Sequence, residues 1–360
     1  MASVSIDPDN PVLTADQRQA VIDQAIATLD HYVLPTVAVA MQQTLGEGLQ
    51  ANRYDDVATA PQLAERLTLE LQTTSGDRQL QVHFSPQPLP DLAPNRTPTP
   101  TELAAERDRS AQRNFDVNRV ERLQGNVGYL ELYGFEPPEF VGDVLAAAFT
   151  FLAHSRALIL DLRHNRGGSP ATVALLCSYL LPAYPAIHLN DLYWRPDDSI
   201  RQWWTLPHLS GPRYLERPVY LLTSADTFSA AEECAYNLQV LKRVTVVGEH
   251  TPGGAHPGQG YRLTDHFWMF VPTGQSINPT TGSHWGKTGI VPDVKVPGEL
   301  ALLTAHRLAL DHLLNTQPDG VQFRELQRSL LRVERELNAR RAELISQLKR
   351  PSPEATVTED

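Results

Sequence analysis

Cysteine is nearly absent: Cys177 and Cys234 are the only two in 360 residues. Both fall inside apolar helical runs, so they read as small buried hydrophobes rather than a disulfide framework or a metal site. An excess of basic residues is also missing. Lys and Arg number 31 against 42 Asp and Glu, a formal net charge of −11. That argues against nucleic acid or an anionic membrane surface as the main partner. No apolar run approaches the roughly 20 residues of a membrane-spanning helix. The opening MASVSIDPDNP has neither a basic nor an apolar leader region, so no signal peptide is expected and a cytoplasmic location is. His250, His256, His266 and His284 are scattered, with no pair at the helical spacing of a metal site beside a third ligand. No metal and no cofactor is expected.

The most informative stretch runs from Pro218 to Pro257. Val219 to Thr223 is a short apolar run and reads as a buried strand. Ala230 to Leu241 has apolar residues at helical spacing. Val244 to Val247 is a second strand, and Gly248 to Gly260 is a loop rich in Gly and Pro. Ser229 therefore sits on a tight strand-to-helix turn. Free backbone N–H groups and the helix dipole favour negative charge there, as a nucleophile with oxyanion donors requires. An ordinary N-cap is the other reading of the same serine. A second turn, Arg163 to Ser169, carries Gly167 and Gly168 between a buried strand and a helix start. Their N–H groups suit an anion or oxyanion; a plain tight turn needing positive φ is the alternative. The spacing matches neither a phosphate loop nor a dinucleotide fingerprint.

Taken in order, residues 1–86 read as a helical N-terminal subdomain ending in a strand. Thr14 and Gln17 form a capping box, Pro35 interrupts the first helical segment, and Pro61 opens a third helix. Leu80, Val82 and Phe84 alternate as a strand. Residues 87–118 read as a linker, proline-rich to Thr101 and then charged and poorly periodic. Residues 119–298 alternate strands (Asn126–Leu132, Ala157–Leu162, Val219–Thr223) with helices (Pro137–Ala153, Ala171–Leu181, Ala230–Leu241), giving an α/β core with partly parallel strands. No element is assigned between residues 182 and 217. Gln275 to Lys287 reads as a polar loop. Residues 299–350 form C-terminal helices. Their second stripe, Leu326, Leu330, Val333, Leu337, Leu344 and Leu348, suits either an oligomerising arm or packing on the chain's own domain. Residues 351–360 read as a disordered tail.

Seven pieces in this order resemble one family: HYVLPTVAVAM with the following YDD, LELQTTSGDRQLQVHFSP, NVGYLEL, LILDLRHNRGG, TSADTFSAAEE, VVGEHTPGGAHP and INPTTGSHWGKTGIVPDV. The chain is similar to the C-terminal-processing (tail-specific) serine peptidases over about Val21 to Pro297. The nearest branch contains the repeats of interphotoreceptor retinoid-binding protein and lacks a PDZ domain. The resemblance implies a ββα-spiral core like that of crotonases with a helical N-terminal region. It implies that Ser229 is the nucleophile, that the Gly168 and Ala230 N–H groups are the oxyanion donors, and that the ligand is a peptide or protein C-terminus. The retinoid-binding relatives add a second expectation, a lipophilic small molecule bound without cleavage.

The same resemblance locates departures. The lysine that activates the serine in bacterial members corresponds to Gly254. The histidine of the other branch corresponds to Gln79, and its orienting glutamate to Gly286. Glutamine takes no proton at neutral pH, and an unactivated serine is a weak nucleophile. His83, His256 and Lys287 are the substitutes the sequence offers. The expectation is thus a serine peptidase-like chain with an incomplete proton relay, or an inactive binding protein using the same cleft.

Overall fold

The computed structural model describes residues 9–90, 98–316 and 320–348. The expected tail at 351–360 and part of the expected linker, residues 91–97, lie outside the described residues. Contacts divide the chain into two compact units, each discontinuous in sequence. One comprises Met1–Asp108, His188–Trp204 and Pro252–Gly289; the other comprises Arg109–Ile187, Thr205–Thr251 and Ile290–Asp360.

In the first unit, helices Ala15–Thr28, Pro35–Gln50 and Ala60–Ser75 follow from their caps. The Thr14 N–H donates to Gln17 Oε1 at 2.9 Å, and the Gln17 N–H to Thr14 Oγ1 at 3.2 Å, a capping box. Pro35 and Pro61 stand in first turns, where the missing N–H costs nothing. Their apolar faces (Ile22, Leu29, Met41, Leu63, Leu67) close on Val82, Phe267, Met269 and Val271. These belong to an antiparallel sheet ordered Gln81–Phe84, Phe267–Pro272, Gly258–Arg262. A second antiparallel sheet, ordered Gly274–Ile277, His188–Trp194, Ser199–Trp204, joins the same unit.

Two corrections to the sequence reading lie here. The expected polar loop Gln275–Lys287 begins as a strand, because Gly274–Ile277 pairs with Trp194–Asp191. The unassigned stretch holds two strands whose polar, half-exposed residues carry no clean alternation and are ordered by pairing. A third correction concerns the charged end of the linker. Pro100–Ala111 is a helix, opened by Thr99 and Glu102, whose carboxylate takes the Thr99 N–H at 2.8 Å.

The second unit is a mixed α/β fold. Its sheet is ordered Val294–Lys295, Thr245–Gly248, Val219–Thr223, Ala157–Asp161, Val127–Leu132, Val117–Leu123. All neighbours are parallel except the last pair. Every residue of Ala157–Asp161 and Val219–Thr223 is buried, as central strands covered on both faces must be. One face (Tyr129, Ile159, Leu222, Val247) packs on Ala301, Ala305 and Ala309 of helix Gly298–Thr316. Helix Val321–Leu348 lies along that helix and buries Leu326, Val333 and Leu337, so the stripe as far as Leu337 is taken up by the chain's own core. No helix among the described residues is long and apolar enough to cross a membrane.

Burial pushes the His306 imidazole below its ordinary pKa, although the Gln124 carbonyl at 2.8 Å pulls the other way. A histidine whose folded pKa is depressed stabilises the fold above its unfolded pKa, near 6.5, and less as pH falls below it. His83 and His284 are lowered by burial too, so the sign is shared. The melting temperature should therefore drop between pH 7.5 and 5.5. The drop should be smaller in His306→Asn. An unchanged or rising melting temperature would contradict this.

Candidate active site

The turn after strand Val219–Thr223 is built by hydrogen bonds that end the strand. The Ser224 N–H donates to Thr227 Oγ1 at 2.9 Å, and that hydroxyl donates to the Leu162 carbonyl at 2.8 Å. Ser229 follows with φ 54° and ψ −122°. A serine held at positive φ costs on the order of 1–3 kcal/mol and persists only where its surroundings enforce it. Here they do. The Ser229 N–H donates to Glu232 Oε2 at 2.9 Å. Glu232 is fully buried, and its other oxygen takes the Thr251 hydroxyl. Ser229 itself is half-buried, at the start of helix Ala230–Val240.

The Gly167–Gly168 bend backs onto this elbow. A Cβ on Gly167 would stand 2.9 Å from both the Ala230 nitrogen and the Ser229 Cβ. A Cβ on Gly168 would stand 2.2 Å from the Phe135 carbonyl oxygen. Both residues have positive φ, 103° and 137°, so only glycine fits. Buried Asn165 ties the bend to the elbow. Its Oδ1 takes the Gly167 N–H at 2.9 Å, and its carbonyl takes the Phe228 N–H at 3.0 Å. No acceptor stands against the Gly168 or the Ala230 N–H among the described residues. Ala230 opens a helix, which cannot supply an acceptor for its first N–H groups.

The positions that the resemblance assigns to a relay, Gln79 and Gly286, lie in the first unit. Asp77 follows the C-cap Gly76 and is buried. Its Oδ1 takes the Gln79 N–H at 3.0 Å; its Oδ2 takes the Tyr32 hydroxyl at 3.0 Å and lies 2.8 Å from His256 Nδ1. Burial first, then Asp77, push the Tyr32 pKa up, so its hydroxyl stays a donor. Gln79 is buried, and its Oε1 takes the His256 N–H at 2.7 Å. Gly286 has no room: a Cβ would stand 2.6 Å from His284 Nδ1, which already takes the Gly286 N–H at 2.9 Å. The indole N–H of Trp285 donates to the Gly254 carbonyl at 3.0 Å. His83 stacks on Trp268, ring centres 4.3 Å apart, and Lys287 is exposed.

Residues 126–296 match the family model of peptidase family S41, and residues 12–117 match that of the N-terminal domain of S41 peptidases in eukaryotic IRBP. The chain belongs to peptidase family S41. A solved candidate peptidase from Parabacteroides merdae is 18% identical with a TM-score of 0.55, over 81% of this chain and 96% of that one, a likeness of fold. A candidate S41 protease from Bacteroides fragilis is 26% identical (TM-score 0.46, 60% of this chain). The photosystem II D1 C-terminal processing protease is 24% identical (TM-score 0.40, 48% of this chain). The chain spans 57% and 43% of those two proteins. The S41 model takes in both turns of the second unit, the Gly-Gly bend and the serine elbow.

Sequence reasoning gave no part to Asn165 and Thr251, which hold the turns of Gly167 and Ser229, or to Tyr32 and Asp77, which bond to each other in the first unit. Asn165 stood inside the quoted RHNRGG run without a role. Asp77 and His256 are 179 positions apart, and no local pattern links them.

The elbow's strain is measurable. Ser229→Gly should be more stable than Ser229→Ala by roughly 1 kcal/mol, since glycine accepts the φ that alanine resists. Gly167→Ala should lose more than about 1 kcal/mol. Urea midpoints decide both; equal stability of the two Ser229 variants would remove the strain.

Proposed function

We propose that this chain is a serine peptidase of the tail-specific kind, working through an acyl-enzyme on Ser229. The carrying observation is the serine at positive φ on a strand-to-helix elbow, backed by Gly167 and accompanied by the Gly168 and Ala230 N–H groups, which have no acceptor among the described residues. In the reaction the Ser229 oxygen bonds to the carbonyl carbon of a peptide bond and gives up its proton to a base. The carbonyl oxygen becomes an oxyanion and is received by the Gly168 and Ala230 N–H groups. Loss of one such donor typically lowers the rate about 10²–10³-fold. The amine leaves with a proton, and water then releases the acid and frees the serine. The ligand is a peptide or a protein C-terminus, and the acidic charge balance disfavours nucleic acid.

A second reading is binding without cleavage, of a peptide end or a lipophilic molecule. It draws its support from Gln79 and Gly286, which cannot act at the relay positions the family resemblance assigns them. A fluorophosphonate probe separates the two. Ser229 should be labelled in folded protein and Ser229→Ala should not be. Peptide hydrolysis, where measured, should fall at least about 10³-fold in Ser229→Ala. No Ser229-dependent labelling would favour the binding reading.

A further inference from the structure

We infer that the second unit carries a binding site for a small molecule bearing two or more phosphate groups, in a groove between the turn at Gln124–Asn126 and helix Val321–Leu348. The groove has a volume of about 540 Å³, and every residue lining it belongs to the second unit. Four of those residues are arginines. Arg122 ends a strand and Arg156 precedes one; Arg328 and Arg332 stand on the helix. None of the four guanidinium groups has a hydrogen bond or an ion pair among the described residues. Other arginines are taken up: Arg113, Arg163, Arg166, Arg307 and Arg340 each pair with a carboxylate. Glu325 brings a carboxylate to the groove and forms an ion pair with none of the four.

The walls are fixed by the chain itself. The turn joins strands Val117–Leu123 and Val127–Leu132, and three hydrogen bonds hold it. The Asn126 side-chain amide donates to the His154 carbonyl at 2.8 Å. The Arg156 N–H donates to the Asn126 carbonyl at 2.8 Å. His306 Nε2 donates to the Gln124 carbonyl at 2.8 Å, since a carbonyl can only accept. On the opposite wall Leu326, 2% exposed, anchors the helix in the core. Arg328 and Arg332 stand four residues apart on that helix. Like charges at this spacing repel, and an anion between them turns the repulsion into attraction.

The chemistry of the lining selects the ligand. A guanidinium presents its N–H groups as a planar fork that fits phosphate or carboxylate oxygens two at a time. Four of them around a groove in the size range of small-molecule sites suit several anionic groups on one compact molecule. Phosphate is favoured over carboxylate, because each phosphate brings up to about two charges and three strong acceptor oxygens. No aromatic ring lines the groove, so a nucleic-acid base has no stacking surface. Its apolar side chain, Leu326, is buried and offers little to an apolar peptide residue. The formal net charge of −11 repels long polyanions, whereas a local cationic groove still captures a short one.

Calorimetric titration at low salt tests the site, with inorganic tripolyphosphate and inositol hexakisphosphate as probes. Wild type should take up one molecule of probe per chain. The tighter probe tells whether the natural ligand is a phosphate chain or a phosphorylated polyol. Arg328→Gln combined with Arg332→Gln should weaken binding at least about tenfold, and Arg122→Gln on the other wall should weaken it too. All three positions are exposed, and the melting temperature without ligand should not fall, because the changes remove repulsion. Arg324→Gln combined with Arg335→Gln takes the same charge from the same helix outside the groove and should leave binding within about twofold. Equal losses in the two double variants would overturn the site and leave diffuse attraction in its place. No uptake of either probe would overturn it, as would inorganic monophosphate binding as tightly as tripolyphosphate. Tighter binding of a single-stranded oligonucleotide or of hexaglutamate at the same arginines would also overturn it and assign the groove to a macromolecule.

Discussion

The constraint beneath this site is the close packing of the Gly167–Gly168 bend, in which a methyl group at Gly167 would collide with the Ser229 elbow and one at Gly168 with the Phe135 backbone. The bend can have no side chains, and of its two N–H groups Asn165 holds that of Gly167 while that of Gly168 has no acceptor among the described residues. At the elbow Ser229 is the N-cap of helix Ala230–Val240 in a capping box, in which the Glu232 carboxylate takes the Ser229 N–H while the Thr251 hydroxyl holds Glu232. The parallel strands Ala157–Asp161 and Val219–Thr223 pair in register and deliver both turns to the same end of the sheet. Ligand sites in parallel α/β sheets form at the carboxyl ends of strands for this reason.

The first unit holds a buried polar cluster of its own around Asp77. The Gln79 side-chain carbonyl takes the His256 main-chain N–H. At Gly286 the lack of a side chain leaves room for His284 to take the Gly286 N–H. Asp77, with both oxygens committed, is the pivot of the cluster. A buried carboxyl is tolerated where hydrogen bonds compensate its lost hydration, and here a tyrosine hydroxyl, a main-chain N–H and an imidazole supply them.

Much of the fold was legible because its signals are local. Prolines at 35 and 61 mark helix starts, the Thr14–Gln17 box marks another, and the apolar runs at 157 and 219 mark buried strands. The turns that carry Gly168 and Ser229 were legible because strand, turn and helix follow one another within a dozen residues. What stayed hidden depends on partners distant in the chain. His188–Trp204 is half polar and becomes two strands only through pairing with Gly274–Ile277 and with itself. Pro100–Ala111 is mostly exposed and lacks an apolar face, so a helix there rests on its Thr99–Glu102 cap. The Asp77–His256 contact joins two loops that no spacing rule relates. The units themselves interleave along the chain, where the sequence suggested consecutive blocks.

The most direct measurement is a crystal structure of the protein after reaction with a fluorophosphonate. The account requires phosphorus bonded to Ser229 Oγ, with the phosphonyl oxygen within about 3.1 Å of both the Gly168 and the Ala230 nitrogens. An adduct whose phosphonyl oxygen points into solvent, with those two N–H groups unengaged, would contradict it.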